Sequence, residues 1–298
     1  VFSNKIIDLA RTNKNIFAIT AAMPEGTGLD KFRDLYPERF FDVGIAEEHA
    51  VSFAAGLARQ GKRPVVAIYA TFLQRAYDEI MECVALQNLP VIFAIDRAGI
   101  VGEDGATHQG IFDIGYLRTI PRLVIMAPRD GLELEAMLEF AFTLKAPVAI
   151  RYPKALCPSC QLPVDEISLG NSETIKEGSD YALVALGSMV VPCLQAMEAI
   201  KKEGYEGTLL NARFAKPVDA RRLKELSKSV RKIFTVEEAV IDSGFASAVG
   251  EFLDAPVIKI GLPCDFIAHA RRDSVLKKYG LDKDSIARKV IQELRSPG

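Results

Sequence analysis

The fold is most readily inferred from residues 90–110, which read Pro90-Val-Ile-Phe-Ala-Ile95 and then Asp96-Arg-Ala-Gly-Ile-Val-Gly-Glu-Asp-Gly-Ala-Thr-His-Gln-Gly110. The first six residues form a short apolar run bounded by turn residues, which predicts a buried parallel strand. Open α/β sheets bind ligands just beyond the carboxyl ends of such strands. The glycine-rich segment 96–110 is therefore the expected place for a functional site, and it carries Arg97, Asp104 and His108.

Comparable strand-like runs alternate with helical patterns along the whole chain. The runs are 15–20, 40–44, 64–70, 90–95, 123–127 and 147–152 in the first half, and 181–187, 208–212, 232–236 and 256–260 in the second. The helical patterns of the second half lie near 191–203, 219–229 and 243–253 and in the C-terminal tail. This alternation predicts an α/β protein with two doubly wound domains and mostly parallel sheets.

A change of composition marks the predicted boundary between the two domains. From Pro153 to about Gly178 the chain is rich in Pro, Cys, Ser and Gly and has no periodicity, which is typical of a connecting segment. We therefore predict domains at 1–155 and 179–298, joined by a linker at 156–178.

Composition and charge exclude several classes of partner. The chain has 298 residues, of which 49% are apolar and 26% charged, and a formal net charge of −2. A clustered basic face is absent from the sequence, so we expect no binding to nucleic acid, and no apolar stretch reaches transmembrane length, so we expect no membrane span. Five scattered cysteines favour a reducing cytoplasm, and the lone pair Cys157 and Cys160 is predicted to be two free thiols rather than a metal site.

Two adjacent acids follow the strand-like run 40–44, at the start of a predicted helix. Glu47 shares a helical face with apolar residues, whereas Glu48 lies on the polar side. The apolar positions of that face are Ala50, Val51, Ala54 and Leu57. A carboxyl group turned toward a core is costly unless it is paired, which makes Glu47 a catalytic candidate. Glu48 is better explained by helix-start electrostatics.

The remaining candidates also follow strand-like runs, and each has two interpretations. Tyr69 and Phe72 are either core aromatics or a platform for stacking a ligand ring. Arg97 and Arg151 end two strands that should share one sheet edge, so they either face solvent or form a two-pronged anion clamp. His108 is either structural or catalytic.

Five segments spread over both halves also carry a family resemblance. They are Phe41-Asp-Val-Gly-Ile-Ala-Glu-Glu-His-Ala50, Tyr69-Ala-Thr-Phe-Leu-Gln-Arg-Ala-Tyr-Asp78, residues 96–110, Asn211-Ala-Arg-Phe-Ala-Lys-Pro-Val-Asp219 and Gly261-Leu-Pro-Cys-Asp-Phe-Ile267. Together they resemble the 1-deoxy-D-xylulose-5-phosphate synthase family, in the transketolase group of thiamine diphosphate enzymes. The lead-in Asp96-Arg-Ala-Gly-Ile-Val-Gly102 is typical of the synthases, whereas transketolases have a different one.

The resemblance implies a reaction and a role for each candidate residue. The family condenses pyruvate with D-glyceraldehyde 3-phosphate, with loss of CO2, on a thiamine diphosphate cofactor. The implied cofactor contacts are a hydrogen bond from Glu47 to N1' of the aminopyrimidine and stacking by Phe72, with Tyr69 and Arg75 nearby. The implied substrate contacts are Arg97 and Arg151 with the acceptor phosphate, and Asp104 and His108 in the pyruvate pocket.

The chain departs from the family pattern in one respect. The sequence has no Gly-Asp-Gly motif followed by Asn, which in the family ligates Mg2+ and the diphosphate. We therefore expect those ligands in an N-terminal domain or subunit that this chain lacks, and we expect a homodimer. Two alternatives remain. The first is an enzyme subunit, either the C-terminal subunit of a split transketolase or the β chain of a 2-oxoacid dehydrogenase. The second is a non-catalytic dimerisation or regulatory module.

Overall fold

The computed structural model describes residues 1–158 and 162–296 and contains two sheets flanked by helices. The strands are β1 Ile16–Thr20, β2 Phe40–Asp42, β3 Arg63–Tyr69, β4 Ile92–Asp96, β5 Val124–Met126, β6 Val148–Arg151, β7 Glu173–Lys176, β8 Tyr181–Ala185, β9 Gly207–Asn211, β10 Phe214–Lys216, β11 Lys232–Val240 and β12 Val257–Leu262. The α-helices are α1 Phe2–Thr12, α2 Asp30–Leu35, α3 Glu47–Arg59, α4 Ala70–Leu73, α5 Tyr77–Glu79, α6 Asp113–Leu117, α7 Gly131–Thr143, α8 Val190–Lys202, α9 Ala220–Ser229, α10 Phe245–Gly250, α11 Arg272–Lys278 and α12 Lys283–Arg295. Shorter helical turns lie at Pro37–Arg39, Gln74–Ala76, Ile80–Ala85, Gly102–Asp104 and Gly187–Met189.

The first sheet has the order β10-β5-β6-β4-β3-β1-β2, and its strands from the first half of the chain are all parallel. Every residue of β4 is buried, because helices cover both faces of a parallel sheet. The register places Tyr69 of β3 beside Asp96 of β4, and Ile95 beside Arg151 of β6. The predicted site residues therefore follow strands that end at one edge of the sheet.

The second sheet has the order β12-β11-β8-β9-β7, and the predicted fold class is confirmed. Two strands differ from the expectation. β7 lies inside the predicted linker 156–178 and pairs antiparallel with β9, so part of that segment belongs to the second sheet. β10 comes from the second half of the chain but joins the first sheet, where it pairs antiparallel with the edge of β5.

A buried ion cluster joins the two halves of the chain. Arg213 Nε and Asn211 Nδ2 each donate to Glu133 Oε1 at 2.8 Å, and Arg129 is ion-paired with Glu133 and Glu173. Both arginines also donate to main-chain carbonyl groups of 162–166. Because breaking a buried pair leaves an uncompensated charge, this cluster holds residues 162–166 and the two halves of the chain together.

Candidate active site

The glycine-rich segment 96–110 is closed into a loop at its base. Gly99 N donates to Gly110 O at 2.6 Å, and Gly110 N donates to Gly99 O at 2.9 Å. Gly99 has φ +88°, and a Cβ atom on Gly110 would lie 2.2 Å from the carbonyl oxygen of Arg97. Only glycine fits these two positions without strain, so the loop has one defined path beyond the carboxyl end of β4.

Glu47 is the first residue of α3, and it is buried as the pattern predicted, with 3% of its surface exposed. Its Oε2 atom has no hydrogen-bond partner among the described residues, although Arg75 Nη1 lies 3.4 Å away. Arg75 is instead oriented toward Glu48, donating from Nε to Oε1 at 2.9 Å. A buried carboxylate oxygen without a hydrogen bond is rare, and it indicates a site for a donor from outside the described residues.

Aromatic rings from β3, α4 and the glycine-rich loop meet one another. The rings of Tyr69 and Phe72 stack with centroids 5.6 Å apart, and His108 meets the Phe72 ring edge-on at 5.3 Å. The guanidinium carbon of Arg97 lies 3.6 Å from the Tyr69 ring centroid. Thr107 Oγ1 and His108 Nδ1 are 2.9 Å apart, so a hydrogen bond orients the imidazole. The structure thus brings together four residues that the sequence analysis singled out separately.

Arg97 has an unusual backbone conformation that directs its guanidinium group. Its φ is +58°, a region that residues with side chains rarely adopt. Arg97 Nη1 donates to Gly26 O and to Asp96 Oδ2, each at 2.9 Å. Burial raises the pKa of Asp96, and the adjacent Arg97 opposes that shift. The Asp96 carboxylate therefore holds Arg97 through Nη1, and the other N–H groups of the guanidinium can donate to a ligand.

A cavity of about 680 Å³ opens beside Arg97. Asp96, Arg97 and Lys154 lie on its wall, together with Ser188 and Arg272 from the second half of the chain. Lys154 is exposed, and its Nζ atom lies 3.4 Å from Oδ2 of Asp104, which is itself partly exposed. The sequence analysis overlooked Lys154. Its only signal was its place three residues after Arg151, just past the end of β6.

Arg151, the other cation of the predicted clamp, already has a carboxylate partner within the chain. Arg151 is buried, and its Nε and Nη2 atoms donate to the two oxygens of Asp113 at 2.7 and 3.2 Å. Nη2 also donates to the carbonyl oxygen of Glu238 at 3.3 Å. Although burial lowers it, the pKa of Arg151 remains above its usual value, chiefly because of Asp113. The forked face of this guanidinium group is thus occupied by a buried carboxylate.

Comparison with known proteins agrees with this architecture. Residues 1–159 match the transketolase pyrimidine binding domain, and residues 170–286 match the transketolase C-terminal domain. The chain belongs to the transketolase family. The predicted resemblance to 1-deoxy-D-xylulose-5-phosphate synthases is also confirmed. The synthase of Pelotomaculum thermopropionicum is 49% identical over 300 residues, which are 98% of this chain and 47% of that protein. The synthase of Dictyoglomus thermophilum is 50% identical over 301 residues, 99% of this chain and 49% of that protein.

Two solved structures of transketolases share the fold. A split-gene transketolase, described as an inactive β4 tetramer, has a TM-score of 0.90 and 30% identity, and the match covers 98% of this chain and 96% of that one. Transketolase from Campylobacter jejuni has a TM-score of 0.85 at 20% identity, over 97% of this chain and 46% of that one. This transketolase-family chain thus spans about half the length of the curated relatives it matches.

Members of this family use thiamine diphosphate, and the residues present fit one end of that cofactor. The unpartnered Oε2 of Glu47 suits a ring nitrogen, and the Tyr69–Phe72 stack suits a flat pyrimidine. Across residues 1–158 and 162–296, no group of three His, Cys, Asp or Glu side chains could hold a metal ion. Cys157 is a free, exposed thiol, and Cys160 lies outside the described residues. Within the same ranges, no helix is long and apolar enough to cross a membrane.

Proposed function

We propose that this chain is the pyrimidine-binding and C-terminal part of a 1-deoxy-D-xylulose-5-phosphate synthase, which condenses pyruvate with D-glyceraldehyde 3-phosphate and releases CO2. The observation that carries the proposal is the buried Oε2 atom of Glu47, which has no hydrogen-bond partner among the described residues, together with the Tyr69–Phe72 stack. Identity close to one half with several synthases supports this member of the family over others.

Within this proposal the chain's residues bind and orient the cofactor's pyrimidine. Glu47 would share a proton with a ring nitrogen of the pyrimidine through its Oε2 atom, and Phe72 would stack on the ring, with Tyr69 supporting Phe72. Arg75, 3.4 Å from Glu47, helps to keep that carboxyl group in place. When bound, thiamine diphosphate supplies the electron sink for the decarboxylation. His108 and Asp104 face the pyruvate side, where the imidazole can give or take a proton.

The acceptor phosphate is assigned to Arg97 and Lys154. Both line the same cavity, and both have N–H groups that no buried partner occupies fully. Charge-assisted bonds to a phosphate from two such cations would be strong and directional. The original candidate, Arg151, is assigned a supporting role, because Asp113 already takes its forked face.

The proposal includes a second half that supplies the diphosphate and Mg2+ contacts, and a homodimer as the assembled form. A diphosphate is bound through a divalent cation, whose ligands are oxygens. The split-gene transketolase, whose chain matches this one nearly from end to end, is described as inactive in its β4 form. That description is consistent with a need for a separate diphosphate-binding half.

The test is reconstitution. The chain is co-expressed with the N-terminal half of a synthase such as that of Pelotomaculum thermopropionicum, and CO2 release from pyruvate is measured with and without glyceraldehyde 3-phosphate. We expect turnover only from the assembled protein with Mg2+ and thiamine diphosphate. Micromolar, Mg2+-dependent cofactor binding by the chain alone would contradict the need for a second half. An assembled, folded complex without turnover would favour the non-catalytic module.

A split transketolase subunit is the second candidate, because the split-gene structure covers the same two domains over 96% of its chain. The substrate that supplies the two-carbon unit distinguishes the two functions. A synthase consumes pyruvate and releases CO2, whereas a transketolase takes a two-carbon unit from a ketose phosphate. A preference of the assembled protein for the ketose phosphate would replace the proposal.

A further inference from the structure

A buried carboxylate from the second half of the chain contacts the glycine-rich loop. Glu238, near the end of β11, is 1% exposed. Its Oε1 atom accepts from Ile100 N at 2.7 Å. Its Oε2 atom accepts from Ser188 Oγ at 2.7 Å and from Arg272 Nη2 at 2.5 Å. Both carboxylate oxygens are therefore satisfied, and one of them is bonded to the loop itself.

Arg272 completes the contact from the same side. Its Nε atom donates to the carbonyl oxygen of Ile100 at 3.1 Å, so both main-chain groups of this fully buried residue are bonded to the second half of the chain. Ala270 N donates to Gly102 O at 3.3 Å, and a Cβ atom on Gly102 would lie 2.8 Å from Arg272 N. The loop backbone thus packs directly against residues 270–272.

We propose that Glu238 is a positioning residue, which holds the loop of residues 96–110 in its active geometry from the second half of the chain. Ile100 lies between Arg97, on the acceptor side, and Asp104 and His108, on the pyruvate side. Ile100 lies between the glycines at 99 and 102, so its two main-chain bonds, to Glu238 and Arg272, add to the contacts that hold the loop on its path. The role in turnover rests on the proposed function, whereas the effect on loop order does not.

Single and double substitutions separate this role from simple packing. Arg272→Met leaves the buried Glu238 carboxylate without its cation, and Glu238→Gln leaves Arg272 without its anion. In the double variant the neutral amide at position 238 can accept from Ile100 N through its oxygen and donate to Ser188 Oγ through its nitrogen. A double-mutant cycle then measures the coupling between the two side chains.

The first readout is hydrogen–deuterium exchange of the chain itself, in peptides that cover residues 97–110. We expect each single variant to speed exchange at the Ile100 amide by about tenfold or more, because local opening exposes it. The double variant should recover much of that protection. Glu251→Gln is the matched control, since it removes an exposed carboxylate that pairs with Arg118 across the same two halves at 2.5 Å, away from the loop. It should leave loop exchange unchanged.

The second readout is kcat of the reconstituted enzyme with both substrates saturating. We expect each single variant to lower kcat by about tenfold and the double variant to restore part of it, because a displaced loop misplaces groups that act in the reaction. Unchanged loop exchange in both single variants would overturn the proposal, and so would faster exchange with unaltered kcat. If the wild-type assembly has no turnover, the proposed function fails and the exchange data alone decide loop order. Arg272→Lys, which keeps the charge and loses the Nε bond to Ile100, replaces Arg272→Met if that variant does not fold.

Discussion

Replacing Arg151 by Met tests whether this residue supports the fold or binds substrate. The substitution keeps a long apolar stem but removes the guanidinium group that donates twice to Asp113. The Asp113 side chain is completely buried, so it would lose its only ion pair among the described residues, with no access to water. The substitution would also remove the bond to the carbonyl oxygen of Glu238, in the second half of the chain.

The expected cost is large for a single substitution. Removing one partner of a buried ion pair typically destabilises a protein by about 3–5 kcal/mol, because the other charge remains buried. The free energy of unfolding of the chain should therefore fall by about 3–5 kcal/mol in Arg151→Met. Replacing Asp113 by Leu as well should restore much of the loss, since an apolar pair of similar volume leaves no buried charge.

The assay is urea denaturation of the wild-type chain and the two variants, followed by kinetics of the reconstituted enzyme with glyceraldehyde 3-phosphate varied. The assignment of Arg151 to the fold is refuted if the free energy of unfolding of Arg151→Met lies within about 0.5 kcal/mol of the wild-type value, the scale of an ordinary surface substitution. It is refuted more directly if that variant also raises KM for the phosphorylated acceptor while leaving unphosphorylated glyceraldehyde unaffected. Arg151 would then be the phosphate ligand that the sequence suggested.

Three further outcomes are expected. Glu47→Gln should lower kcat of the assembled enzyme by about 100-fold or more while the chain unfolds no more easily than wild type, because the positioned proton relay is lost and a buried acid is removed; retention of a tenth of the wild-type rate would place the relay elsewhere. Arg97→Ala and Lys154→Ala should each raise KM for glyceraldehyde 3-phosphate by about one to two decades, or roughly 1.5–3 kcal/mol, and equal damage with unphosphorylated glyceraldehyde would count against the phosphate assignment. Burial raises the pKa of Glu237 to about 7, so the folded chain binds this proton more tightly than the unfolded chain. Its contribution to stability is present below about pH 4.5 and is lost as the pH rises toward 7, by up to about 3 kcal/mol, so the unfolding free energy of wild type relative to Glu237→Gln should fall over that window and stay constant above it.

The fold was predictable where the chain repeats one physical pattern. Central strands such as β4 and β8 are buried on both faces, so they read as uninterrupted apolar runs. The antiparallel edge strands β7 and β10 are only four and three residues long, and each has a charged residue at one end or both, so the sequence does not distinguish them from connecting segments. The strand predicted at 232–236 ended at two acids, yet β11 continues to Val240 and buries both Glu237 and Glu238.

In the candidate site too, a residue's role could be predicted where neighbouring residues determine it, and could not where a distant residue does. Glu47 could be inferred because its orientation depends on the face of its own helix, which the next ten residues reveal. The roles of Arg151 and Lys154 could not be separated in this way, because both are cations at the end of β6 and the side chain that distinguishes them, Asp113, lies 38 residues away. Glu238 is 138 residues from Ile100, whose main-chain N–H donates to it. A buried ionic residue takes its role from its partner, and a partner on another element leaves no periodic pattern in the neighbouring sequence. The tertiary structure is therefore what distinguishes an exposed cation on the cavity wall, Lys154, from a buried one paired with a carboxylate, Arg151.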